Sequence, residues 1–105
     1  MAGIPGKAKI SVVDRDFDDI RQKTQEFLLT FLTATLELGF TYVRLARMEA
    51  GLGNAEGFER ARQKAQAALA HVKQFEHRLI DEDRLDIQAR SQELEKSIAS
   101  LFLPQ

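Results

Sequence analysis

The two histidines are the first residues to consider for metal or acid–base chemistry in this sequence. They are His71 and His77, six residues apart. Two histidines that share a metal on one helix stand four residues apart, because that spacing puts them on one face. The chain also has no cysteine, so a thiolate zinc site is impossible. We therefore predict two surface histidines and no metal site.

Glu37 is the only charged residue in the apolar stretch of residues 27–43. A buried carboxylate there could act as a general acid or base. At about 100° per residue, however, Glu37 falls in the middle of a polar strip along a helix. The strip predicts either a solvated surface or the floor of a shallow groove, and no catalytic residue. It consists of Thr30, Thr33, Glu37, Thr41 and Arg44, and Phe40 beside it completes the candidate interaction surface.

Two further motifs are similar to ligand-binding patterns but are incomplete. Asp81 and Asp83 alternate as in an EF-hand loop, but Leu85 stands at the fifth position and Asp86 at the sixth, where the loop needs a ligand and a glycine. The segment Gly51-Leu52-Gly53 lacks the rest of a phosphate-binding fingerprint. The acidic residues predict helix caps and surface charges, and the glycines predict a turn. We therefore expect no cofactor and no enzyme activity.

Composition predicts a single folded domain. Of the 105 residues, 44% are hydrophobic and 30% are charged, which is typical of a folded soluble protein. Long proline-free runs of Ala, Leu, Glu, Gln, Lys and Arg predict an all-α fold. The net charge is −1 with no basic excess, so we expect no nucleic-acid binding. The absence of cysteine fits a cytoplasmic location.

A membrane role is not expected. Residues 1–14 contain no apolar core of signal-peptide length. Residues 27–43 include four threonines and Glu37, and they fall short of the roughly 20 largely apolar residues of a transmembrane helix. Instead, apolar side chains surround about two thirds of this helix, so it must be covered by more than one partner. That cover comes from the rest of the chain or from a second copy.

The sequence predicts a flexible leader at residues 1–13 followed by a single helical domain at 14–105. The long central first helix is expected to start near Asp14 or Asp16 and to end near Ala50. Gly39 predicts either a kink or, with its small neighbours on the same side, a close approach of another helix. The small residues on that side are Thr35, Gly39 and Ala46.

The remainder of the chain predicts two more helices. One opens at Asn54 or Ala55 after a glycine turn and forms an antiparallel hairpin with the first helix. The next is expected to start with Asp81 or Asp83 as its cap and to end before Pro104. One continuous helix of about 45 residues fits the same pattern, but typical helix lengths favour a break. We predict a three-helix bundle. Its expected buried residues are Phe58, Ala61, Ala65, Ala68, Leu69, Val72, Phe75 and Leu79, then Ile87, Leu94, Ile98 and Leu101.

Tyr42 to Glu49 put an aromatic and a small residue on the first helix, Gly53-Asn54 supply the turn, and the second helix follows with Phe58, Ala61, Ala65 and Ala68. This part of the hairpin resembles a tetratricopeptide-type unit. The likeness covers about a third of the chain, and it implies helix-hairpin packing and a protein-binding role without indicating functional residues. The alanines arrive three residues late, no proline closes the unit, and no second copy follows at a period of 34 residues.

These observations lead to two functional expectations. The first is a small non-catalytic protein-interaction or scaffold domain that binds protein, most simply a second copy of itself as a homodimer. The second is a regulatory module that binds a small apolar ligand between helices. The ligand is expected beside Phe31, Leu38, Tyr42 and Phe75.

Overall fold

The protein is all-α in the computed structural model, which describes the backbone of residues 3–101 and the side chains of residues 19–101. Helix α1 spans Gly3–Gly51, α2 spans Ala55–Phe75 and α3 spans Asp81–Ser100, and a short 3₁₀ turn at Glu76–Arg78 separates α2 from α3. The described residues contain no strand. The predicted three-helix fold is confirmed, and the alternative of one continuous helix after residue 55 is wrong.

The helices are arranged up, down and up. A short turn joins α1 to α2, so these helices are antiparallel neighbours. Helix α3 runs parallel to α1. At the start of α3, the Ile80 amide donates to the Gln25 side chain of α1 over 3.0 Å. At the end of α3, Ser100 accepts from Arg47, which lies near the end of α1, over 3.1 Å.

The turn between α1 and α2 is fixed by backbone and side-chain hydrogen bonds. Gly53 has a φ of +74°, which glycine adopts without steric penalty. The Asn54 amide donates to the Glu49 carbonyl over 2.9 Å and the Gly53 amide to the Ala50 carbonyl over 3.1 Å, as in a Schellman motif. The Asn54 side chain then caps α2 by accepting from the Gly57 amide over 3.1 Å. The predicted hairpin is therefore built as the sequence indicates.

All three helices contribute to one core, and Gly39 lies where they meet. A Cβ atom at this position would lie 2.6 Å from Leu94 of α3 and 3.3 Å from Ala68 of α2. The close-approach interpretation of Gly39 is confirmed, since both helices come near α1 here. The central cluster consists of Leu32, Leu36, Val43, Ala65, Val72, Leu79, Ile87, Leu94 and Ile98, with Phe40, Leu69, Phe75 and Leu101 packed against it.

The predicted start of α1 is wrong. Helix α1 begins at Gly3 rather than at Asp14 or Asp16. Pro5 is compatible with this start, because it falls in the first turn, where its missing N–H has no helical partner to lose. The flexibility expected of residues 1–13 falls outside the residues whose side chains are described, and it stays a prediction.

The predicted cap of α3 is also wrong. The capping position is Ile80, and no side chain caps the helix there. The acidic residues occupy the first turn instead, where the helix dipole favours negative charge. In that turn Asp81 accepts a hydrogen bond from Arg84 over 2.7 Å.

Helix α1 is much longer than the two helices that cover it. Its 49 residues compare with 21 in α2 and 20 in α3, or about 73 Å against about 30 Å at 1.5 Å per residue. Because α2 folds back directly from the end of α1, the surplus length lies in the first half of α1.

Candidate interaction surface

One face of α1 carries a row of exposed, mostly apolar residues that neither α2 nor α3 covers. We call this row the apolar stripe. Its large members are 38–73% exposed, although side chains of this kind are usually buried. The stripe consists of Ile20, Thr24, Phe27, Phe31, Ala34, Leu38, Thr41, Leu45 and Met48, and every one of these residues is exposed.

The spacing of the apolar stripe is regular. Successive members are alternately four and three residues apart from Ile20 to Met48, which is the repeat of a coiled-coil seam over about four heptads. A second row with the same spacing faces the bundle core and is buried: Leu32, Leu36, Gly39, Val43 and Ala46. Helix α1 therefore has two apolar faces, and its own chain covers one of them.

The polar strip lies beside the apolar stripe, and Thr41 belongs to both. Thr30, Glu37, Thr41 and Arg44 are exposed, while Thr33 is half-buried. The Thr41 hydroxyl donates to the Glu37 carbonyl over 2.9 Å and accepts from Arg44 over 3.2 Å. The sixth predicted surface residue, Phe40, is half-buried and packs against the core instead. The strip is thus a solvated edge of the apolar stripe.

A shallow groove of about 360 Å³ runs between α1 and α2, along the edge of the apolar stripe that lies opposite the polar strip. It contains three of the four residues predicted to surround an apolar ligand, and Phe75 is the exception. The Arg78 guanidinium lies over the Phe75 ring instead, 5.1 Å from the centre of that ring. The groove is lined by Phe31, Thr35, Leu38 and Tyr42 of α1 and by Lys64, Ala67, Ala68 and His71 of α2.

The residues first considered for chemistry are dispersed over the surface. His71, His77 and Glu37 are all exposed. Among the described residues, no three His, Asp or Glu side chains group closely enough to hold a metal ion. Hydrogen bonds from Arg62 hold the pKa of Glu59 below its ordinary value, and these two residues form a surface ion pair one turn apart on α2.

Gln25 has a structural role that the sequence alone does not predict. Its side-chain amide donates to the Arg78 carbonyl over 2.8 Å, and its oxygen accepts from the Ile80 amide over 3.0 Å. One side chain of α1 thus satisfies two backbone groups in the turn between α2 and α3. The partners are more than 50 residues away along the chain, so no local sequence pattern indicates this contact.

Within the described residues, α1 also has the length and composition of a membrane-spanning helix over Asp19–Gly51. Only 22% of the most apolar 18-residue segment of this helix is buried in the structure. Burial in the core therefore explains only a small part of this apolar surface.

The chain matches no known family model, no curated protein and no solved structure.

Proposed function

We propose that this protein is a non-catalytic, cytoplasmic protein-interaction domain that self-associates through the apolar stripe of α1. The observation that carries the proposal is the stripe itself. Burial of apolar area contributes about 25 cal/mol per Å², and contiguous exposed apolar patches mark interaction sites in soluble proteins. A three-and-four spacing on a long helix suits another helix with the same spacing, and a second α1 provides one.

A protein partner fits the apolar stripe better than a lipid bilayer does. A spanning helix would have to place the polar strip, with Glu37 and Arg44, in hydrocarbon, where charged side chains are strongly disfavoured. It would also have to shed α2 and α3, which pack along the same segment of α1. The apolar stripe occupies one face of α1 and is bordered by the polar strip, as a helix–helix interface requires.

Leu38→Glu tests this proposal. Leu38 is 49% exposed, so the folded monomer tolerates the change, but the carboxylate would be buried twice in a symmetric dimer. We expect the dimer dissociation constant to rise about 100-fold or more, measured by analytical ultracentrifugation. The helical circular dichroism signal should be retained.

Leu85→Glu is the matched control. Leu85 is 65% exposed, but it lies on α3 and is not a member of the apolar stripe. This variant should dimerise like the parent protein. Equal association of both variants and the parent would show that the stripe is not the interface. Binding to phospholipid vesicles in place of self-association would favour the membrane alternative.

A small apolar ligand in the groove between α1 and α2 is the second candidate function. The groove has an apolar floor, and Lys64 lies at its rim, with its ammonium 5.5 Å from the centre of the Tyr42 ring. Such a ligand would raise the melting temperature without a change in mass. Ala67→Trp would fill the groove and abolish that rise, whereas the same substitution at the exposed Ala89 of α3 would not.

A further inference from the structure

We infer that the second copy packs antiparallel on the apolar stripe, with a twofold axis between Phe27 and Phe31. This inference rests on the proposed function and deepens it. Phe27 is the midpoint of α1, Gly3–Gly51, so an axis beside it lets the two α1 helices overlap along nearly their whole length. The layers then pair residues of one copy with residues of the other: Phe27 with Phe31, Thr24 with Ala34, and Ile20 with Leu38.

The unequal helix lengths favour the antiparallel arrangement. The first half of α1 extends beyond α2 and α3, because α1 has 49 residues and they have 21 and 20. In an antiparallel pair, this half of each copy lies beside the bundle of the other, where the apolar stripe is exposed. In a parallel pair, the two extensions would meet only each other. The antiparallel pair therefore adds a fourth helix, the α1 of the other copy, to each bundle.

Charges along the edge of the apolar stripe select the register. Lys23 and Glu37 each lie one position before a member of the stripe, so both line its polar-strip edge. In an antiparallel pair this edge faces the same edge of the other copy, and charged edge residues set partner orientation. With Phe27 opposite Phe31, Lys23 of each copy lies opposite Glu37 of the other, and symmetry forms this ion pair twice.

Both charges are available for that contact. Lys23 pairs with Asp19 one turn away over 3.3 Å, but the two side chains are 74% and 63% exposed, and exposed pairs of this kind stabilise little. The side chain of Glu37 is exposed as well. Lys23 can thus exchange one carboxylate for another at little free-energy cost.

Competing arrangements fit the charges less well. A parallel pair in register would place Lys23 against Leu28 and Glu37 against Tyr42. Among the side chains that the structure describes, it would gain only a contact between Arg44 and Glu49, whose carboxylate already accepts from Asn54 over 2.6 Å.

A shift of the antiparallel pair by one heptad toward the end of α1 would bring Lys23 against Arg44. Two like charges would then face each other on both sides of the axis. Such juxtapositions are used by helical pairs to reject a register.

Cysteine cross-linking tests the arrangement, because the chain has no cysteine of its own. Thr24→Cys and Ala34→Cys are made separately, one with an affinity tag, and oxidised alone and as an equimolar mixture. A disulfide requires Cα atoms within about 7 Å. The antiparallel pair predicts a disulfide between the two different chains in the mixture and little cross-linking of either variant alone.

Disulfides within each single variant would show a parallel dimer and overturn the inference while leaving the proposed function intact. A dimer without any of these cross-links would overturn the register. A monomer at all concentrations would overturn the proposed function and the inference together.

A charge exchange provides a second readout that does not depend on cysteine. Lys23→Glu and Glu37→Lys should each weaken the dimer about tenfold, because each places like charges together twice. The double variant should return the dissociation constant to within about threefold of the parent value. Absence of this rescue, with both single variants weakened, would contradict the contact between Lys23 and Glu37.

Discussion

Gly39 shows how one residue sets the distance between three helices. The missing side chain leaves space for Leu94, which is fully buried, and for Ala68. A leucine side chain in that position has no free volume to move into, because protein interiors are close-packed. Glycine in the middle of a helix is disfavoured by about 1 kcal/mol relative to alanine. Close packing at this point outweighs that disadvantage.

We therefore expect Gly39→Ala to destabilise the fold by about 1 kcal/mol despite its higher helix propensity, because overpacking costs about 1–3 kcal/mol. Gly51→Ala is the control, since a Cβ atom there meets nothing within 4 Å. That variant should be neutral or slightly stabilised. Urea denaturation at one fixed protein concentration measures both, and a Gly39→Ala protein more stable than its parent would contradict the account.

The connection between elements depends on Gln25, which joins α1 to the turn between α2 and α3. It pairs with one carbonyl and one amide of that turn. These backbone groups have no helical partner of their own at a helix end. Gln25 thus holds α3 in place at its start, while Arg47 contacts its end.

Gln25→Ala should lower the free energy of unfolding by about 1–2 kcal/mol, since two hydrogen bonds are lost. Hydrogen exchange of the Ile80 amide should accelerate, because that amide loses its acceptor. Gln22→Ala is the matched control, as its one bond to a described side chain goes to Glu26 one turn away, over 3.5 Å. If both variants have the same stability and the same exchange at Ile80, Gln25 does not hold the turn.

The elements themselves could largely be predicted from the sequence, because their signals are local. The glycine turn, the Asn54 cap and the alanine face of α2 all follow from spacing and residue type. The start of α1 could not, since glycine and proline near a terminus fit both a first turn and a leader. The role of Gln25 and the capping position at Ile80 depend on contacts between distant segments, which periodicity does not reveal.

The candidate site was predicted only in part. The angular distribution of its residues shows that α1 is apolar on most sides. That distribution does not indicate which side of α1 the rest of the chain covers. Two rows with the same three-and-four spacing interleave along one helix, so their residues merge into one broad apolar surface. The structure separates the buried row that contains Leu36 from the exposed row that contains Leu38. The polar strip proposed from the sequence is one edge of that exposed row.

At the scale of the whole molecule, α1 acts as a support with two apolar faces. One face organises the bundle with α2 and α3, and the other remains available to a partner. The molecule measures 79 × 21 × 14 Å, so a long side of α1 is accessible. We therefore propose that the free chain is one half of a symmetric pair.

Solution mass over a concentration series, from about 1 μM to about 1 mM, tests that claim most directly. Sedimentation equilibrium should show the mass rising from the 11.9 kDa of one chain to twice that value. The Leu38→Glu variant should remain at one chain mass over most of the range. A constant mass of 11.9 kDa for the parent protein at every concentration would contradict self-association through the apolar stripe.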